Sequence, residues 1–454
     1  MATPAIHPLI DEGLGNSSYL IDLGERRAMV IDPSRDPSPY RREAHRLGLH
    51  IAFAAETHLH ADFVSGSREL AANGATVIGS ILGGREFDHR GVEDREEIDV
   101  GGLTVRVLAT PGHTAEHVAY LILDGAQPVA LFSGGSLLVG AVARTDLVSP
   151  DRSEELARAM YRSLREQILS LPDDLPVFPT HGAGSFCAAP AGNERTTTIG
   201  RERATNPLLA APDETSFVAR LLGGLGTYPP YFLRLQERNR LGPRVYGTAP
   251  ALPLLSAPEI QRLAAEGAEV VDVRDVADFA AGHIPGALSI NLRPAFASWL
   301  GWLVPWDRPL VFVFGGHQDR SDAVRQALKI GYEHLAGELE GGMAAWRAAG
   351  YEERHIALVD VAPTSGLIDV RQASEYRAGH IPGAVSVELG SLAEARDLPA
   401  GRLTTTCGHN ARAMSGASLL ERRGINELAV LRPGTGAWAA MAGHRLVVSP
   451  RARA

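Results

Sequence analysis

Lysine is all but missing from this 454-residue chain: Lys329 is the single one, and every other strongly basic side chain is arginine. The Gly-Lys-Ser/Thr core of a Walker A phosphate loop is therefore excluded. A Schiff-base lysine would have to be Lys329, which lies inside a helical pattern over residues 323–330, and no such role is expected there. Cysteine is nearly as scarce. Cys187 and Cys407 cannot make a disulfide framework, so a reducing cytoplasmic setting is expected. No basic block interrupts a formal charge of −9, which speaks against nucleic-acid backbones and anionic membranes as partners. No apolar run approaches the ~18 residues of a membrane span, and the first ten residues lack the pattern of a signal peptide. The 48 glycines and 29 prolines are dispersed, which excludes collagen-like and low-complexity readings. A chain of this length is expected to hold about three domains.

An internal repeat organises the second half. Val271-Asp272-Val273-Arg274 precedes Phe279 and Gly282-His283-Ile284-Pro285-Gly286-Ala287; Ile368-Asp369-Val370-Arg371 precedes Tyr376 and Gly379-His380-Ile381-Pro382-Gly383-Ala384. Each copy then runs through an apolar segment into a polar loop ending in arginine: Gly315-Gly316-His317-Gln318-Asp319-Arg320 and Cys407-Gly408-His409-Asn410-Ala411-Arg412. Each closes on a tryptophan, Trp346 or Trp438. Short apolar segments alternating with helical patterns predict two small α/β domains with parallel sheets, over residues 255–353 and 360–450. The first 245 residues read as a two-layered α/β unit, with strands near 18–22, 28–32 and 104–109 and helices near 65–73 and 153–169. Linkers are expected over 245–258 and 360–365.

Histidines mark the front unit. Thr57-His58-Leu59-His60-Ala61-Asp62, Pro111-Gly112-His113 and Thr180-His181-Gly182 each follow an apolar, strand-like run. Histidines at the ends of separate strands are how a metal centre is assembled from distant sequence. These segments resemble the metallo-β-lactamase fold, whose signature is His-x-His-x-Asp-His. Gly15-Asn16-Ser17-Ser18-Tyr19, residues 56–66, Ala143-Arg144-Thr145-Asp146-Leu147, residues 181–187 and 196–206, and Pro229-Pro230-Tyr231-Phe232 resemble its persulfide dioxygenase branch. The repeat resembles tandem rhodanese domains. The resemblance implies a metallo-β-lactamase αββα sandwich followed by two rhodanese-like α/β domains, in a self-associating sulfur-metabolism protein tied to hydrogen sulfide detoxification.

Two departures stand out. The last histidine of the signature is Phe63, which removes a ligand to a second metal and argues against a two-metal hydrolase. The aspartate of the family's iron triad is Gly135, so that triad maps onto His58, His113 and a residue without a side chain. A facial triad without its carboxylate holds Fe(II) weakly. His58, His60 and His113, with Asp62 and His181 nearby, could still take a divalent metal such as zinc. Restoring Asp at 135 is expected to raise iron content. By the same resemblance, Arg144 lies on the thiol-substrate side, where a cation suits a glutathione carboxylate; a salt-bridged structural arginine is the competing reading.

In a rhodanese, a cysteine opens a six-residue loop whose amides, with the helix behind them, stabilise an anion. Cys407 meets that pattern as sulfur-carrying nucleophile. Gly408, His409, Asn410 and Ala411 form its cradle, Arg412 supplies charge, and no metal is needed. The middle copy carries Gly315 in the nucleophile's place and is expected to be non-catalytic. Asp272, Asp369, His283 and His380 read as turn-holding residues, Trp346 and Trp438 as core anchors, and Cys187 as packing. The expected activity is sulfur transfer from thiosulfate or glutathione persulfide to a thiol. An active iron-dependent glutathione persulfide dioxygenase and a non-catalytic persulfide-sensing scaffold are the alternatives.

Overall fold

A computed structural model describes residues 4–187, 193–441 and 443–449. They fall into two compact units, one of residues 1–250 with 325–332, the other of 251–324 with 333–454. Among the described residues no helix is long and apolar enough to cross a membrane.

The first unit carries two six-stranded sheets. One runs Ile6–Asp11, Asn16–Gly24, Arg27–Ile31, His50–Glu56, Thr76–Ser80, Arg90–Val92 in spatial order. The other runs Thr197–Thr198, Pro176–Pro179, Gln127–Gly134, Val118–Asp124, Thr104–Ala109, Glu97–Asp99. The strand Val118–Asp124 shows how sequence sets this architecture. It is apolar almost throughout because both of its faces are covered: Val118, Tyr120 and Ile122 join the core between the sheets, while Ala119, Leu121 and Leu123 meet the outer helices. Ser153–Ser163 and Glu214–Gly223 cover that outer face, and Ser38–Leu47 covers the other sheet through Tyr40 and Ala44. Helix on sheet on sheet on helix is the αββα sandwich expected.

In the second unit each repeat is a five-stranded, wholly parallel sheet. The Asp-x-Arg signatures end matching strands, Glu269–Asp272 and Leu367–Asp369, and act identically. Arg274 forks onto Asp272 and donates to the Gly282 carbonyl at 2.8 Å; Arg371 forks onto Asp369 and donates to Gly379 at 2.7 Å. His283 and His380 hydrogen-bond the carbonyls of Phe279 and Tyr376 and stack on those rings with centroids 3.8 Å apart. Trp346 and Trp438 are buried. These are the structural roles expected of them.

The break between units falls at Pro250/Ala251, inside the 245–258 linker. The last domain begins earlier than residue 360, because the strand Ala357–Val359 pairs with Leu428–Leu431. The front helices are also shorter than their sequence patterns: Ser67–Ala71, and Ser153–Ser163 before a wider helical turn at Leu164–Ile168. Lys329 ends the helix Arg320–Lys329, and its Nζ lies 2.5 Å from Asp11 Oδ2, an ion pair and not a poised amine.

Candidate functional sites

In the front unit the strand ends bring His58, His60, His113 and His181 together, all buried. Asp32, which follows the strand Arg27–Ile31 at φ +49°, is buried beside them. Its carboxylate accepts the Thr57 N–H at 2.7 Å, the Thr57 hydroxyl at 2.7 Å, and the Thr180 hydroxyl. Because the Thr57 proton goes to Asp32, Thr57 Oγ1 accepts from His58 Nδ1, 2.8 Å away. His58 therefore presents a lone pair on Nε2. His113 Nδ1–H donates to the Arg144 carbonyl at 2.6 Å, which likewise leaves its buried Nε2 unprotonated and without a partner. His181 Nδ1 lies 3.1 Å from Asn16 Oδ1 and 3.4 Å from Asp62 Oδ2, so its lone pair is also on Nε2, 3.4 Å from that of His58. Burial, followed by the neighbouring imidazoles, pushes His58 well below the ordinary histidine range; burial and His181 push His113 down to about 3.

Three imidazoles thus bring ring nitrogens within 4.8 Å of one another. Converging lone pairs repel unless a cation lies between them, so this donor set suits a divalent metal. His60 falls in a second group, with Asp32 and His58, whose ligand atoms lie within the same distance of one another. His60 stacks on Phe63 with centroids 4.1 Å apart, and its Nε2 is 3.3 Å from Asp32 Oδ1. Burial opposes its charge, but Asp32 outweighs burial and raises it above the usual range. Asp62, held by Asn16 Nδ2 at 2.8 Å and by His181, orients the latter.

The triad position that the resemblance assigns to a carboxylate is Gly135, which offers no side chain, while Asp32, His58 and His60 form a two-imidazole, one-carboxylate group elsewhere in the cluster. A Cβ on Gly135 would come 2.6 Å from His113 Cδ2 and 3.0 Å from Ala143 Cβ. That gap is closed by His117, a residue the sequence pattern did not single out. Gly135 N–H donates to His117 Nε2 at 2.9 Å, His117 Nδ1 lies 2.8 Å from Thr110 Oγ1, and the ring stacks on His58. With both nitrogens engaged, His117 is a wall of the site and not a ligand. Its only sequence signal was its place four residues after His113.

Arg144 has a positioning part. Its guanidinium forks onto Asp146 at 2.7 and 2.8 Å and donates to the carbonyls of Phe186 and Gly226, so all its nitrogens have protein partners. These bonds use four of its five N–H groups and match the salt-bridged reading of that residue. Cys187, whose carbonyl accepts the Arg144 N–H, is buried, and burial raises its thiol well above the ordinary range. The Pro229-Pro230-Tyr231-Phe232 segment earns its place here too: Tyr231 donates to the Asp62 carbonyl at 2.9 Å, and Asn239 holds the carbonyls of His60 and Phe63.

The second site is the loop of the last domain. The strand Leu403–Thr406 delivers Cys407 to the foot of the loop, and the twelve-residue helix Ala411–Arg422 rises from it. Asn410 takes a left-handed conformation (φ +60°), which turns the chain back over the sulfur, and Ala413 N–H points at Cys407 Sγ from 3.3 Å. Gly434, at φ +68°, passes so close to the Gly408 and Cys407 carbonyls that no Cβ fits there. Arg412 forks onto Glu375 at 2.6 and 2.8 Å, and its charge also lies 5.6 Å over the Trp299 ring. Cys407 is only 2% exposed, while Gly408 and His409 form the rim, so access is limited to small reactants.

A metallo-beta-lactamase superfamily model matches residues 11–181, and a rhodanese-like domain model matches residues 256–349 and 353–441. The mitochondrial persulfide dioxygenase ETHE1 of Homo sapiens is 31% identical over 220 residues, 47% of this chain and 78% of that protein. The chain belongs to the persulfide dioxygenase family. A crystal structure of a metallo-beta-lactamase from Staphylococcus aureus subsp. aureus COL is 32% identical, with a TM-score of 0.66 over 74% of this chain and 99% of that one. A hydroxyacylglutathione hydrolase from Synechococcus sp. is 31% identical over 169 residues, 36% of this chain and 62% of the relative. Within this persulfide dioxygenase-like chain, the two rhodanese-like domains differ sharply at their loops. In the first of them Gln318 folds back so that its Oε1 accepts the Gly315 N–H at 2.6 Å, and Arg320 pairs with Glu338. A side chain, not an anion, fills that cradle.

Proposed function

We propose that this member of the family is a sulfane-sulfur transferase acting through Cys407. The Cys407 thiolate attacks the sulfane sulfur of thiosulfate or of a low-molecular-weight persulfide such as glutathione persulfide. An Sγ–S bond forms, the donor's S–S bond breaks, and its electron pair leaves with sulfite or the thiolate. An acceptor thiolate then attacks the terminal sulfur and frees Cys407 again. The observation that carries this reading is the Ala413 N–H aimed at Cys407 Sγ from the first turn of a twelve-residue helix. The test is thiosulfate turnover with a thiol acceptor. Transfer should fall to background in Cys407→Ser; transfer retained in that variant overturns the reading.

In the same proposal the front domain binds a divalent metal through His58, His113 and His181, and iron-dependent oxygenation is impaired. A second reading is favoured by the retained His58 and His113 and by the likeness to the human persulfide dioxygenase: an active iron enzyme despite Gly135. Stoichiometric iron in protein purified without added metal, with oxygen consumed on addition of glutathione persulfide, would establish it in place of the first.

A further inference from the structure

The histidine group is not the only feature at its end of the front unit. The strand Thr76–Ser80 runs parallel to His50–Glu56, so it ends at the same edge as the His58 segment. There the short turn Ile81–Gly83, the residues after the strand Arg90–Val92, and the segment between Thr104–Ala109 and Val118–Asp124 enclose a cavity of about 280 Å³. That size is near the lower bound for pockets that take small organic ligands. His117 lines the cavity, and the same ring stacks on His58. One imidazole thus stands between the cavity and the metal group, and His58, His113 and His181 are not among the cavity walls.

Part of the wall is apolar. Ile81 and Leu82 are 52% and 76% exposed, although they are large, adjacent and on a three-residue turn. Adjacent apolar side chains left open over a cavity mark a contact surface. The rest of the wall carries charge of one sign. Glu93, Asp94 and Glu116 line the cavity, and no arginine or lysine does. Asp94 is fixed by the Ala109 N–H at 2.7 Å and Glu116 by the Leu59 N–H at 2.9 Å. Among the described residues Glu93 and Glu116 have no basic partner. Beside Asp94 stands only Arg95, 3.7 Å away and itself 77% exposed. His117 adds no compensating charge, because its Nε2 accepts from the Gly135 N–H and its Nδ1 is engaged by Thr110.

The arrangement does not suit a metal ion. Among the described residues these three carboxylates form no group with ligand atoms within 4.8 Å of one another, and a hard divalent cation needs that convergence. Carboxylates set apart beside an aliphatic wall fit an organic cation, whose charged head meets the acids while its chain covers the apolar surface.

We propose that this cavity binds a small aliphatic amine as its ammonium ion, at a site separate from both the metal group and Cys407. The alkyl chain lies against Ile81, Leu82 and Val92, and the ammonium faces Glu93, Asp94 and Glu116. The site stands whether or not Cys407 transfers sulfur.

The experiment titrates the full chain with pentylamine, pentanol and pentanoate by isothermal titration calorimetry. The amine should bind saturably with a Kd of about 1 mM, the range open to a ligand of so few atoms. Pentanol should bind about tenfold more weakly for want of the charge, and pentanoate not at all. Raising the salt to about 1 M should weaken the amine. These comparisons need no variant to fold. Glu93→Gln, a change at an exposed side chain, should weaken the amine about threefold, and Leu82→Ser should cost a similar factor by removing apolar contact. Absence of saturable amine binding, equal binding of pentanoate, or an amine Kd unchanged in both variants overturns the proposal. Nα-acetyl-lysine amide carries the same ammonium on a protein-like stem. If it binds more tightly than pentylamine, the cavity belongs to a partner protein's lysine and the free-amine proposal fails.

Discussion

Gln318 Oε1 accepts the Gly315 N–H at 2.6 Å, so an amide side chain of the middle domain fills the loop whose counterpart in the last domain begins with Cys407. A Cβ on Gly315 would lie 2.7 Å from that oxygen. The absence of a side chain at 315 leaves room for Gln318 to close the loop. Gly315→Cys in a Cys407→Ser background should show no sulfur transfer. Adding Gln318→Ala should let the new thiol take up one sulfur from thiosulfate, read by intact mass.

Gly135→Asp is not a simple reversion. A Cβ at that position would stand 2.6 Å from His113 Cδ2, and His117 already holds the Gly135 amide. The variant should lose about 1–3 kcal/mol, as overpacked cores do, and should gain no stoichiometric iron. Thermal unfolding and elemental analysis check both.

Metal content should follow His181 and not His60. His181→Ala removes one of three converging imidazoles and should lower bound zinc in dialysed protein by an order of magnitude or more, about the scale of losing a protein ligand or its support. His60→Ala removes a residue turned toward Asp32 and should leave most of the zinc in place.

Glu375 sets an acid limit. Burial favours its neutral form, but its bonds to Arg412 outweigh burial and hold it below the ordinary glutamate range. A depressed carboxylate contributes stability above its unfolded pKa, and that contribution is lost as pH falls through the folded value. Its side chain is 38% exposed, so the contribution is screened to under about 1 kcal/mol. The visible effect should be on rate: transfer declines on the acid side of the glutamate range as Arg412 is released. Glu375→Gln should remove that acid limb from the pH profile.

The two thiols should separate by reactivity. Cys187 is fully buried with its thiol pushed up by burial, whereas Cys407 has a rim of Gly408 and His409. Methyl methanethiosulfonate should label one thiol in the native protein, at Cys407, and two after denaturation. Labelling of Cys187 first would contradict the packing described.

Much of the architecture was legible beforehand because repeats and alternation are local properties. The Asp-x-Arg and Gly-His-Ile-Pro-Gly copies announced two equivalent domains, and the same hydrogen bonds recur in each. The histidine segments announced a centre. Which histidines share it was not legible, because His60 and His181 differ only in what their ring nitrogens meet across the sheets. Nor was His117, whose Thr110 and Gly135 partners come from loops that meet only in the folded chain.

The sequence by itself determined what each loop can be. Cys407 against Gly315, Gly135 where a carboxylate belongs, and a lone lysine are matters of composition at a position, which no packing can change. Tertiary structure decided which charges and lone pairs face one another. It closed the middle loop with Gln318, turned Arg144 inward onto Asp146, and laid Ser415 of the last domain against Ser289 of the middle one. The reason is physical: a side chain's chemistry travels with its residue, but its field and its partners are set by neighbours that only folding supplies.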